Sequence, residues 1–287
     1  MRQENVALTA EKFFASQSLD VRESDPMTLT EVRQLLAELE IRPSKALGQN
    51  FLIDGNILAI ILREADVRAD ETVLEIGPGL GVLTKALAAL ARRVIAVEKD
   101  RRLAGHIRSR FPEVELVAGD AMEVPLPTCD KVVANLPYSI STPILERLVD
   151  GEWKPRRIVV TLQREVAQRL AAGPRRKEYG ALTLFTQLRY HVTIAHVVSG
   201  RCFYPSPQVE SAVVVLDRRD PRVKLHPGAP FHEIVRLGFG QRRKMIRHLL
   251  VAHGAGEKTF SQVGISSAAR AEELSLDQWI ELANALC

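Results

Sequence analysis

The sequence is poor in cysteine: Cys129, Cys202 and Cys287 are the only three in 287 residues. The count is odd and no C-x-x-C pair occurs, which argues against a disulfide scaffold and against a thiolate zinc site. Long apolar runs are also missing. Met1-Arg2-Gln3-Glu4-Asn5 lacks the apolar core of a signal peptide. No run reaches the roughly 18 apolar residues that span a bilayer. A cytoplasmic protein is expected, with no membrane partner and no metal. Neither sign of charge dominates. The 39 Lys and Arg against 35 Asp and Glu leave a net +4, and the pI is near 9.0. That balance permits a polyanionic partner without requiring one. Internal repeats and low-complexity tracts are absent too.

What is present is the composition of an ordinary folded chain, with 46% hydrophobic and 26% charged residues. The length suits one large domain and a small one. Residues 1 to 28 have weak periodicity and are expected to form a flexible extension. Thr28 to Leu39 reads as a helix, capped by Thr28 or Thr30, with an apolar stripe at Leu29, Val32, Leu35, Leu36 and Leu39. From residue 72 onward, β-branched runs alternate with longer helical stretches. Seven strands are predicted: Thr72–Ile76, Arg93–Glu98, Glu115–Ala118, Lys131–Asn135, Arg157–Leu162, Val192–Ser199 and Ser211–Leu216. The alternation implies an α/β fold with a largely parallel sheet between helices. The last two strands lack a helix between them and are expected to pair as an antiparallel hairpin at the sheet edge. Beyond Asp217 prolines mark a linker. Helices are then predicted over Phe231–His253 and Leu276–Leu286, the second opened by a Ser275/Gln278 capping box.

Gly77-Pro78-Gly79-Leu80-Gly81 joins the first of those strands to a helix at Leu83–Leu90. Glycine lets a backbone turn sharply and approach a ligand. A dinucleotide fingerprint would need glycine at 82, where the chain has Val82. Glu98 ends the next strand, where a carboxylate can accept from both ribose hydroxyls of a nucleoside. Asp120 closes the strand after that, and an ionised carboxylate can accept from an adenine amino group. The ordered series Gly77, Gly79, Gly81, Glu98 and Asp120 points to a nucleoside-bearing cofactor.

Asn135-Leu136-Pro137-Tyr138 ends the fourth strand. The exocyclic amine of adenine is a poor nucleophile, because its lone pair is delocalised into the ring. Two acceptors, the Asn135 side-chain oxygen and the Leu136 carbonyl, would favour a tetrahedral nitrogen with a localised lone pair. Pro137 stiffens the turn that carries them. Tyr138 offers a face on which an extruded base can stack.

With these residues in view, the chain resembles the ribosomal RNA adenine dimethyltransferase family. The match is carried by Leu47-Gly48-Gln49-Asn50-Phe51-Leu52, Glu75 to Gly81, Asn135 to Tyr138, Phe203-Tyr204-Pro205-Ser206-Pro207-Gln208-Val209-Glu210-Ser211 and Phe239-Gly240-Gln241-Arg242-Arg243-Lys244. It covers roughly residues 30 to 286. The resemblance implies a Rossmann-like, seven-stranded class I methyltransferase sheet over 29–217, with a small helical RNA-contacting domain at 218–287. It implies S-adenosylmethionine as methyl donor, held by Asn50, Leu52, Gly77, Glu98, Asp120 and Asn135. It implies that Phe203 sandwiches the target adenine opposite Tyr138. The implied substrate is small-subunit ribosomal RNA in a pre-ribosomal particle, dimethylated at two adjacent adenines. Nothing demands more than a monomer.

Three basic clusters are candidate phosphate contacts: Arg175-Arg176-Lys177 in a polar loop, Arg242-Arg243-Lys244 with Arg247 on a helix, and Arg42 with Lys45. Such clusters position a nucleic acid rather than read its sequence. Two other readings share these features. One is a large-subunit rRNA adenine methyltransferase of the antibiotic-resistance type. The other is a non-catalytic nucleic-acid-binding factor on the same fold.

Overall fold

A computed structural model of the protein describes residues 27–43, 48–151 and 153–287. The expected extension therefore lies, but for its last two residues, outside the described residues, as do Lys45 and Leu47. The first element is helix α1 (Leu29–Glu38). Thr28 caps it by accepting from the Glu31 N–H, and Glu31 reaches back to the Thr28 N–H at 2.6 Å. Val32 and Leu36 of its stripe are buried. A two-residue strand β1 (Phe51–Leu52) leads to α2 (Gly55–Ala65), whose N-terminus is capped by the Asp54 carboxylate.

The alternating part of the chain then runs β2 (Thr72–Ile76), α3 (Val82–Leu90), β3 (Arg93–Glu98), α4 (Arg101–Arg110), β4 (Glu115–Ala118), β5 (Lys131–Asn135), α5 (Ser141–Asp150) and β6 (Arg157–Gln163). After α6 (Arg164–Ala171) and α7 (Ala181–Gln187) come β7 (Tyr190–Val198), the short β8 (Phe203–Tyr204) and β9 (Ser211–Arg218). The seven long strands form one sheet in the order β4-β3-β2-β5-β6-β9-β7, and β1 pairs with β8 in a second. Strands β2 to β6 run parallel, and β9 runs antiparallel to β6. β7 takes the edge, and β9 inserts between it and β6. Strand β2 is buried along its whole length, as are Val132, Val133 and Ala134 in β5. That is the signature of strands covered on both faces. It places the C-terminal ends of β2, β3, β4 and β5 side by side, where the switch in strand order opens a crevice.

The described residues fall into two compact units. The first ends at Ala167 and resumes over Thr193–Asp217; the second comprises Gln168–Val192 and Arg218–Cys287. The second unit thus takes in 168–192, which by sequence are expected in the larger domain. The cause is apolar: Tyr179, Leu184, Phe185 and Leu188 pack in one buried cluster with Phe231, Ile234 and Trp279. The remaining helices are α8 (Phe231–Gly240), α9 (Ile246–Leu250), α10 (Glu257–Gln262) and α11 (Leu276–Asn284), the last with the Ser275/Gln278 capping box. The single helix expected over Phe231–His253 is broken. Residues 241–245 form a turn, in which the Lys244 N–H donates to the Gln241 carbonyl at 2.8 Å. Met245 then makes a β-bridge to Arg270. Arg242, Arg243 and Lys244 therefore sit on that turn and not on a helix face. No described helix is long and apolar enough to cross a membrane.

Candidate active site

The crevice at the ends of β2, β3, β4 and β5 holds a cavity of about 390 Å³, within the ~300–1,000 Å³ typical of small-molecule sites. Gly77, Gly79, Glu98 and Asp120 line it from the strand ends. Asn50 and Leu52 line it from the segment that carries β1, and Asn135 and Leu136 from the end of β5. Eight of the expected residues are thus brought together around one space.

The chemistry of the walls fits a nucleoside. Gly77 and Gly79 have φ of +71° and +59°, in the left-handed region that glycine enters without strain. Glu98 is 6% exposed. Its Oε2 accepts from the Gly79 N–H at 3.2 Å and its Oε1 from the Asp100 N–H at 2.9 Å. A carboxylate has about four acceptor sites, so two positions remain for a pair of ribose hydroxyls. Burial raises the Glu98 pKa, and the backbone N–H groups of Asp100 and Gly79 oppose the rise. Asp120 accepts from the Lys99 ammonium at 2.7 Å and from the Met122 N–H at 2.9 Å. The hydrogen bond from Lys99 is the largest cause of its lowered pKa. Asp120 therefore stays an ionised acceptor. Arg147 on α5 donates to the Val124 carbonyl at 2.7 Å and also to the Ala121 carbonyl, which fixes the loop behind Asp120. Among the described residues no group of three or more His, Cys, Asp or Glu is placed to hold a metal ion.

Asn135 is held with a definite orientation. Its Nδ2 donates to the Asn50 carbonyl at 2.8 Å. A carbonyl can only accept, so this partner settles which end of the amide is nitrogen and leaves Oδ1 as the side chain's acceptor. The Asn50 side chain in turn donates to the Gly48 carbonyl at 3.0 Å. The 48–52 segment is thereby fastened to the end of β5. Tyr138 is half-buried, and its hydroxyl is hydrogen-bonded to the Ser211 hydroxyl, so the ring is anchored at its far end. Burial raises the pKa of that hydroxyl.

Tyr138 itself is not among the residues that line the cavity, and two more expected residues also stand away from it. Gly81 does not line the cavity. It has φ +84° and precedes α3, and a Cβ there would lie 2.3 Å from the Phe111 ring. The close approach of Phe111 by itself requires glycine at this position. Phe203 is 2% exposed and packs in the core with Leu52, Ile57 and Val198. The reason is register: β8 pairs with β1 so that Phe203 lies opposite Leu52, and Tyr204 opposite Phe51. Side chains alternate along a strand, so Phe203 turns inward. In this conformation its ring is buried and does not line the cavity described above, so it offers no open face for the expected sandwich opposite Tyr138.

Two further residues belong to the site. Gly48 has φ +65°, and a Cβ there would meet the Tyr138 and Ser139 backbone nitrogens at 2.9 and 3.0 Å. Backbone cannot step aside cheaply, so Gly48→Ala should push the 48–52 segment off the turn at Tyr138 and Ser139. We expect kcat/KM to fall roughly tenfold, because reacting groups tolerate little misplacement. Steady-state kinetics with the folded variant checks this. Glu75 lines the cavity but is 1% exposed, and its Oε2 has no hydrogen-bond partner among the described residues. Burial pushes its carboxyl from 4.5 to about 8; the Thr84 hydroxyl opposes this and the Glu98 charge adds to it. A raised carboxyl pKa means the native state holds a proton that the unfolded chain gives up. Stability is therefore lost as pH rises from about 4.5 to about 8. Glu75→Gln should remove this dependence. In the cofactor-free protein its melting temperature should exceed that of the wild type at pH 9 by several degrees, with the gap closing below pH 5. A constant gap across that range would contradict the assignment. An acid inside the apolar run Thr72-Val73-Leu74-Glu75-Ile76 was the available signal.

The family model for the ribosomal RNA adenine dimethylase family matches residues 41–287. The chain belongs to that family. It is accordingly a ribosomal RNA methyltransferase. Relatives named ribosomal RNA small subunit methyltransferase A agree. The protein of Opitutus terrae is 42% identical over 271 residues, covering 88% of this chain and 97% of its own length. That of Chlamydia caviae is 41% identical over 276 residues, covering 90% and 96%. Among solved structures, a dimethyladenosine transferase from Plasmodium falciparum shares the fold with a TM-score of 0.72 at 24% identity, covering 81% of this chain and 95% of that one. The 23S rRNA methyltransferase ErmE does so with a TM-score of 0.66 at 29% identity, covering 83% and 99%. The α/β sheet is thus that of a class I methyltransferase.

Proposed function

We propose that the protein transfers methyl groups from S-adenosylmethionine to the N6 amine of two adjacent adenines in small-subunit ribosomal RNA. It acts as a cytoplasmic monomer on a pre-ribosomal particle. The observation that carries the reading is the Asn135 amide, anchored at its nitrogen by the Asn50 carbonyl so that Oδ1 remains an acceptor beside the cavity. When bound, S-adenosylmethionine supplies an electrophilic methyl group on sulfur. The residues of the chain do the rest. Glu98 accepts from the ribose hydroxyls and Asp120 from the adenine amino group of the cofactor. Asn50, Leu52, Gly77 and Gly79 wall it in. Asn135 Oδ1 and the Leu136 carbonyl accept from the two protons of the target amine, and Tyr138 stacks on the target base. Phe203 can join the sandwich only after leaving its core position. Arg175, Arg176, Lys177, Arg243, Lys244 and Arg247, all exposed, contact RNA phosphates.

The large-subunit reading is the weaker one. Full-length relatives at about 40% identity carry the small-subunit name, whereas ErmE stands at 29%. The test is calorimetric titration with S-adenosylmethionine, followed by methyl incorporation into purified small and large subunits. Saturable binding and incorporation into unmethylated small subunits alone is the expected result. A protein that does not bind the cofactor would be a scaffold, and incorporation only into large subunits would support the other enzyme.

A further inference from the structure

The basic residues of the second unit do not play equivalent parts. The side chains of Arg175, Arg176 and Lys177 are exposed, and so are those of Arg243, Lys244 and Arg247. Arg242 is half-buried, and its guanidinium is engaged on protein atoms. Nε donates to Glu272 Oε2 at 2.5 Å, Nη1 to the Lys177 carbonyl at 2.8 Å and Nη2 to the Arg176 carbonyl at 3.0 Å. All three nitrogens of the fork are used, two of them on the backbone of the basic loop. Glu272 holds the same loop from its other side, since its backbone carbonyl accepts from the Arg175 N–H at 2.8 Å. Arg175 has φ +65°, a left-handed conformation that is unfavourable for a residue with a Cβ and needs such support. Tyr179 closes the loop. Its N–H donates to the Arg176 carbonyl at 3.1 Å, and its hydroxyl to the Leu274 carbonyl at 2.8 Å.

We propose that Arg242 and Glu272 form a clasp that shapes the Arg175–Lys177 loop into a phosphate-binding surface, and that neither residue touches RNA itself. The inference rests on the reading of the protein as an RNA methyltransferase. It reverses the sign expected from charge. A carboxylate on a basic, RNA-facing surface repels phosphate, so neutralising Glu272 should tighten binding if its charge were all that mattered. The clasp makes neutralisation weaken binding, because the loop carrying three cations loses its support. Arg242 is equally a test of shape against charge. Lysine keeps the charge and is a competent phosphate ligand, but an ammonium cannot replace a planar fork spanning two carbonyls and a carboxylate.

The experiment is equilibrium binding of the full chain to unmethylated small ribosomal subunits at several salt concentrations. Glu272→Gln and Arg242→Lys should each weaken binding on the order of tenfold, as expected for the loss of charge-assisted hydrogen bonds that organise a contact. Neither should add to the loss caused by neutralising Arg175, Arg176 and Lys177 together. The affinity for S-adenosylmethionine should stay at the wild-type value in both variants. Unchanged or tighter RNA binding in Glu272→Gln or in Arg242→Lys overturns the clasp. So do losses fully additive with the loop variant, or a parallel fall in cofactor affinity, which would make the pair a general support of the fold. Arg242→Lys keeps the test open should Glu272→Gln fold poorly. A loop variant that binds like the wild type, with the same salt slope, removes the loop from the RNA surface and the clasp with it. Failure of the wild type to methylate ribosomal RNA would sink the underlying reading instead.

Discussion

Asn135→Ala should lower the rate of methyl transfer by about 10²–10³-fold, the usual cost of deleting one preorganised polar group at a reacting centre, while leaving the affinity for small subunits at its wild-type value. The side chain has two ends with separate tasks. Nδ2 holds the Asn50 carbonyl at 2.8 Å, and Oδ1 is left to accept from the target amine. Alanine removes both. Loss of the Asn50 contact is the smaller effect, because a neutral hydrogen bond contributes only about 0.5–1.5 kcal/mol. Cofactor affinity should therefore fall roughly tenfold or less, and the fall in kcat should exceed it. Single-turnover kinetics at saturating cofactor separates the two. A variant that turns over at the wild-type rate would remove Asn135 from the chemistry.

Glu98→Ala should act on cofactor binding and not on the step after it. The buried carboxylate already accepts from the Gly79 and Asp100 N–H groups and has two acceptor positions left. Hydrogen bonds to a charged group contribute about 1.5–3 kcal/mol each, so losing two ribose contacts should weaken S-adenosylmethionine on the order of 10²-fold or more. The variant also orphans the Gly79 N–H inside the glycine loop, which adds to the loss. Titration calorimetry reads the affinity, and kcat at saturating cofactor should recover most of the wild-type rate. If affinity held while kcat collapsed, the ribose assignment would be wrong.

Local rules served well wherever a residue's job is decided within its own element. The run of apolar residues in β5, the turn at Pro137 and the acid at the end of β3 all carry their meaning locally, and they meet at one cavity. What local pattern does not carry is pairing across the chain. The resemblance gives Phe203 a stacking place opposite Tyr138, but its register opposite Leu52 turns it into the core. Gly81 reads as one more ligand glycine, but the nearness of Phe111, just past the end of α4, requires it. The break at 241–245 is invisible to periodicity, because it depends on a bridge to Arg270 and on Arg242 reaching the 176–177 carbonyls. The recruitment of 168–192 into the second unit has the same origin: the apolar faces of α7 and α8 find each other across some forty residues of intervening chain.

The most direct test of the central claim is to incubate the protein with unmethylated small ribosomal subunits and isotope-labelled S-adenosylmethionine, then to map the modified nucleotides by mass spectrometry. N6,N6-dimethyladenine at two adjacent positions of the small-subunit RNA, and its absence with Asn135→Ala, is the predicted result. Label on large-subunit RNA, on a nucleotide other than adenine, or on no RNA at all would contradict it.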